Sequence, residues 1–167
     1  GVPGAFMSVL SLNMIENILI EQGAVSPAHI LDELNKELSE TLNKDADRPV
    51  SKFGLDVGLV SIEKSSDEVF ILEFAGAHHP LLINKAGQLT EIKGDKIFPG
   101  MSKEKFRLHH MEIRKGDMIY LFTDGAGDQF GGEKREKLFS SRFREWITDR
   151  GGRCRRSQCN RREPRRP

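Results

Sequence analysis

Cysteine is scarce. The 167 residues hold two thiols, Cys154 and Cys159, both near the C-terminal end. Four residues separate them and no histidine lies nearby, which fits no zinc-ligand spacing. The rest of the chain has no thiol, so a disulfide framework is excluded there and a reducing cytoplasm is the expected compartment. Long apolar runs are missing too. Nothing approaches the ~18 residues of a membrane span, so no membrane segment is expected. The opening Gly1-Val2-Pro3-Gly4 has no initiator Met and no basic signal-peptide region, and the sequence is expected to start inside a longer protein.

Charge of one sign is missing only locally. Residues 1–141 carry 16 Lys and Arg against 22 Asp and Glu, net −6, whereas residues 142–167 carry 10 Arg, no Lys and 3 acids, net +7. Two segments are therefore expected: a folded domain over 1–141 and an Arg-rich, disordered or non-native tail over 142–167. An Arg cluster can bind phosphate backbones, but only Phe143 and Trp146, at its edge, could stack on bases. Nucleic acid is not the expected partner.

Within the domain the apolar period changes once. Met7, Leu10, Met14 and Ile18 recur at helical spacing after Pro3, predicting a helix that ends near Gln22-Gly23. Ser26-Pro27 is an N-cap followed by a first helical residue, opening a second helix with Leu31, Leu34, Leu38 and Leu42 on one face and a solvated His29 in its first turn. After the polar stretch Asn43 to Lys52, "LDVGLVSIE", "EVFILEF", "PLLIN" and "QLTEI" are short β-rich runs between turn residues, the pattern of an antiparallel meander. "FRLHHMEI", the turn Lys115-Gly116-Asp117 and "MIYLF" predict a further hairpin. Two helices followed by many strands make the fold class α+β.

That last run delivers the chain to Thr123-Asp124-Gly125. Met118 to Phe122 is apolar on both faces, as in a buried strand, so Asp124 is expected at a sheet end with glycines allowing a close turn around it. Such a carboxylate suits Mg or Mn, hard cations that keep several waters. For an Asp-Gly pair alone, an Asx turn or a helix cap is the commoner role. The dipeptide by itself does not carry the metal reading.

Four ordered segments decide more. "GVPGAFMSVLSLNMI", "LEFAGAHHPLLI", "GDKIFPGM" and "KGDMIYLFTDGAGDQFGG" resemble the SpoIIE-like branch of the metal-dependent, PPM-type serine/threonine protein phosphatases, over about residues 1–139. The resemblance implies an αββα sandwich, two antiparallel sheets flanked by helices. It implies two Mn or Mg ions held by aspartates, and hydrolysis of phosphoserine or phosphothreonine by a metal-activated water. Asp124 matches a metal-binding aspartate of the family. Asp128 falls at a common acidic position and is expected to support the turn or a ligand. His78 and His79 fall in a loop that the family closes with Pro, and Asp56 lies near a frequent family aspartate; all three are expected to be structural. Adjacent residues at a strand end point to opposite sides, which also argues against His109 and His110 as a chelating pair.

The departures bear on activity. The family's opening motif is an Asp followed closely by Gly-His-Gly, and the sequence begins at the last glycine of that motif; no closing Asp-Asp strand follows "FSSRFREW". Of the usual acidic ligands only Asp124 remains, so catalysis by this chain alone is expected to be impaired. The alternative is a non-catalytic regulatory or scaffold domain that binds a phosphoprotein. By resemblance the partner is a phosphorylated anti-anti-sigma-type regulator, and a sensor domain lies upstream in the complete protein.

Overall fold

The computed structural model describes residues 2–23, 25–42, 55–128, 130–131, 136–137, 144 and 147–148. Both cysteines, most of the Arg-rich segment and the polar stretch after the second helix lie outside these residues. Helix α1 spans Val2–Gln22 and α2 spans Pro27–Leu42. Gly23 ends α1 in the left-handed region (φ +74°), with its N–H bonded to Leu19 O at 3.0 Å. Ser26 opens α2 as expected: its carbonyl accepts from Ile30 N at 3.1 Å and its hydroxyl lies 3.4 Å from His29 N. The His29 ring is exposed, 2.7 Å from Gln22 Oε1.

The described members of the predicted stripes lie in or against the core, while the Leu42 side chain is outside the described residues. Met7 and Ile18 of α1 and Leu31, Leu34 and Leu38 of α2 are buried together with Ala75 and Ala77, with Leu10 and Met14 packed against them. Each buried leucine stabilises the fold by about 2 kcal/mol through transfer alone.

The six longest strands of the described residues form two three-stranded antiparallel sheets. In the first, β2 (Val69–Ala77) lies between β1 (Val57–Lys64) and β5 (His109–Arg114), in a register that places Leu59 opposite Ala75 and Leu72 opposite Met111. In the second, β3 (Leu81–Lys85) lies between β4 (Gln88–Ile92) and β6 (Met118–Tyr120). The β3–β4 turn uses Ala86 and Gly87, both at positive φ, and Asn84 Oδ1 accepts from Gly87 N at 2.9 Å. The expected α+β class, with helices and two antiparallel sheets, is the one observed.

Two local expectations are corrected. The Lys115–Asp117 turn does not close a hairpin, because β5 pairs with β2 and β6 pairs with β3, so the turn carries the chain from one sheet to the other. Turn chemistry specifies a reversal of direction, not which partner each arm finds. The expected meander over the first four strands breaks earlier, at the Gly76–Pro80 loop, since β2 lies in the first sheet and β3 in the second. Secondly, β6 is three half-buried residues rather than a buried five-residue strand, and Leu121 beyond it is 43% exposed. Among the described residues it pairs with β3 alone and stands at the edge of its sheet.

The chain divides into two compact units: Gly1–Leu81 with Glu91–Lys115, and Leu82–Thr90 with Gly116–Pro167. The first contains both long helices and the β1-β2-β5 sheet. The second contains most of the β4-β3-β6 sheet, the one-turn helix α3 (Asp124–Gly127) and the short antiparallel pair β7 (Phe130–Gly131) and β8 (Glu136–Lys137). In the second unit Asn84, 2% exposed, donates from Nδ2 to Ile147 O at 3.3 Å, and Ile147 is itself 1% exposed.

Candidate metal centre

Asp124 begins a helical turn, four residues past the end of β6. Thr123 precedes it in extended conformation (φ −84°, ψ 166°) without a side-chain capping bond. The turn closes on itself through Ala126 N to Thr123 O and Asp128 N to Asp124 O, each 3.0 Å. Asp124 is exposed, so its carboxylate meets solvent and carries little burial cost. The expected placement directly at a strand end is thereby replaced by the first position of a helical turn, where a carboxylate also complements the amide groups of the turn. Asp128 is exposed at the C-cap of the same turn.

The remaining candidates belong to the first unit. The Gly76–Pro80 loop is a close-packed crossing against Gly94-Asp95. Asp95 N donates to Gly76 O at 2.7 Å, and His78 N donates to Asp95 O at 2.8 Å. A Cβ on Gly94 would stand 2.6 Å from His79 O, and one on Gly76 would meet the same oxygen. Only glycine fits either position. His78 takes a left-handed backbone (φ +55°) and stacks on Phe98, with ring centroids 4.0 Å apart; its Nε2 is buried without a hydrogen-bond partner. Burial holds the half-buried His79 imidazole below its usual pKa, while the Asp56 carboxylate acts in the opposite direction. Asp56 is exposed just before β1.

His109 and His110 do separate across the strand. His109 is tilted against its cross-strand partner Phe74, centroids 6.0 Å apart, and exposed His110 places Nδ1 3.2 Å from Oε1 of its own partner Glu73. Both have structural neighbours, as alternation along a strand requires.

Among the described residues, no three His, Cys, Asp or Glu side chains converge as a metal site. A divalent ion needs about six oxygen ligands and more than one carboxylate. The described donors therefore do not fit the two-ion group that the family resemblance implies. What the geometry does offer is two exposed acids, Asp124 and Asp128, on a short, self-bonded turn. Sequence reasoning did not find the Gly94-Asp95 half of the loop crossing. The pair opens the segment "GDKIFPGM", which entered only as part of the family resemblance, and its glycine is indistinguishable from an ordinary turn glycine without its tertiary neighbour.

Comparison with known proteins agrees with the fold. No curated protein sequence matches the chain. Among solved structures, the SiaA-PP2C domain of Pseudomonas aeruginosa is similar, with 29% sequence identity and a TM-score of 0.68 over 92% of this chain. The chain spans 58% of the length of that structure. The family model for stage II sporulation protein E (SpoIIE) matches residues 1–154. That match takes in the helices, both sheets, the Asp124 turn and the buried Ile147, and the chain belongs to the SpoIIE family.

Proposed function

We propose that the chain is part of a metal-dependent protein serine/threonine phosphatase domain, acting on phosphoserine or phosphothreonine of a bacterial regulatory protein in the cytoplasm. The observation that carries this reading is the family match over residues 1–154, supported by the likeness to the SiaA-PP2C domain. An anti-anti-sigma-type regulator is the kind of substrate proposed, with a sensor domain elsewhere in the same protein. Among the described residues no helix is long and apolar enough to cross a membrane. Asp124 is the proposed ligand of Mn or Mg in this chain. Its exposure leaves the carboxylate free to exchange water for a cation, and the preceding β6 anchors its turn to the β4-β3-β6 sheet.

Turnover by this chain alone is proposed to be impaired, since the described donors supply no cluster of three. The same observation favours the second reading, a non-catalytic domain that binds a phosphoprotein. Manganese-dependent release of phosphate from a phosphoserine peptide separates them when measured on two proteins. One is the chain itself, expected at background. The other is a chimera that adds the unmatched segments of the SiaA-PP2C domain, expected to hydrolyse the peptide. In the chimera Asp124→Asn should lower activity by more than about 100-fold, beyond what loss of an outer hydrogen-bond partner costs. Full activity in that variant would remove Asp124 from the site, and an inactive chimera would favour the binding-only reading.

A further inference from the structure

The cations of the first unit are unevenly satisfied. Lys36, Lys64, Arg114 and Lys115 each pair with a carboxylate, at 2.7 to 3.7 Å. Lys93, Lys96, Lys103, Lys105 and Arg107 are exposed, and their side chains have no ion-pair partner among the described residues. All five fall in one stretch of 15 residues, 93–107, that contains two acids. The rest of residues 1–141 holds 11 cations against 20 acids. A positive island thus stands in an acidic domain.

The island is built on a fixed frame. Asp95 Oδ2 accepts from Arg107 N at 2.7 Å, tying the two ends of the segment together. Asp32 Oδ1 accepts from Phe106 N at 2.9 Å, and buried Asn35 bridges Gly100 N and Ser102 O at 2.7 Å each. Ile97 and Phe106 are buried in the core. An anchored backbone removes the loop-ordering part of the cost of binding and leaves only the side-chain part. Three of the exposed large apolar residues, Phe98, Met101 and Leu108, lie in or directly beside the same stretch, at 38 to 45% exposure. Phe98, Met101 and Arg107 are of the types enriched at protein interfaces, whose rim is polar, whereas a phosphate-backbone site has no use for exposed apolar side chains. Four acids, Asp32, Glu33, Glu40 and Glu104, line the cleft of about 460 Å³ between α2 and residues 102–105 and interrupt the positive surface, which disfavours a uniform polyanion more than a partner with spaced carboxylates.

We infer that residues 93–108 form a docking surface for an acidic protein partner, with Lys93, Lys96, Lys103, Lys105 and Arg107 meeting its carboxylates and Met101 and Phe98 its apolar side chains. This deepens the phosphoprotein reading by giving the partner a charge and a contact surface. Binding is measured here without turnover, so a failure of the docking surface leaves hydrolysis by the chimera untouched, and an inactive chimera leaves the docking surface untouched.

Fluorescence anisotropy on the chain tests it, with a fluorescein-labelled peptide of Glu, Asp, Leu and Phe as probe. Single-stranded DNA of equal charge and phosphatidylglycerol vesicles are the competing probes. The acidic peptide should bind most tightly and weaken as salt is raised over about 50 to 200 mM. The triple variant Lys93→Glu, Lys96→Glu, Arg107→Glu should weaken binding by at least about tenfold. The triple variant Lys64→Glu, Arg114→Glu, Lys115→Glu, with the same change in charge, should stay within about twofold. Met101→Ser, which leaves charge unchanged, should weaken it about threefold. No binding of the acidic peptide, equal losses in the two triple variants, or tighter binding of DNA or vesicles would each overturn the proposal.

Discussion

The loop after β2 and the turn after β6 carry most of the candidate site residues, yet they are held in opposite ways. The first, Gly76–Pro80, is fixed by neighbours far off in sequence: two backbone bonds to Asp95, a ring on Phe98, and two glycines with no room for a side chain. The second, Thr123–Asp128, is fixed by bonds within itself and presents an exposed carboxylate. A position held by tertiary contacts resists substitution because a change there disturbs the fold. A position held locally can change its chemistry at little cost in stability, and it is the one where a ligand-binding group is separable from folding.

The contrast breaks most visibly at the glycines. Gly76→Ala should destabilise the protein by about 3 kcal/mol or more, because the added carbon meets the backbone oxygen of His79 and a ring atom of Phe74. Chemical denaturation would register this as a lowered midpoint with an unchanged slope. A neutral Gly76→Ala would mean the crossing is much looser than its geometry.

Asn35→Ala comes next, at about 2 kcal/mol, since it leaves Gly100 N and Ser102 O without their partner in a buried place. Asn84→Ala should cost about 1 to 2 kcal/mol by the same reasoning, through Gly87 N and Ile147 O. That variant also bears on the C-terminal boundary. If Ile147 belongs to the folded domain, ending the chain at residue 141 should destabilise it by at least as much as Asn84→Ala, whereas ending it at residue 150 should be neutral. Equal stability of the two truncations would return the boundary to residue 141.

Asp124→Asn should shift stability by less than about 0.5 kcal/mol, as for other exposed sites, whatever it does to activity in the chimera. The smallest effect is that of pH on the His79 loop. Burial lowers its pKa in the folded state, so the unfolded chain takes up the proton first. This contribution to stability is complete above the unfolded pKa of about 6.5 and is lost as pH falls from there toward the lower folded value. His79→Asn should flatten the stability profile in that window; an unchanged slope would assign the pH dependence to other groups.

Sequence by itself determined the two helices, their ends and their buried faces, because cap chemistry, helical spacing and leucine burial are local or nearly local rules. It placed the strands of both sheets and named the phosphatase lineage from four ordered motifs, which the SpoIIE match over residues 1–154 bears out. It also gave the opposite-side placement of His109 and His110, since alternation is a property of any strand. Strand partners were decided only by tertiary structure: "HHMEI" and "MIYLF" look like two arms of one hairpin until β2 and β3 claim them separately. The same holds for Gly94 beneath His79 and for the unpaired lysines of residues 93–105, because a glycine without room or a cation without a carboxylate is defined by what stands next to it in space, which spacing along the chain does not encode.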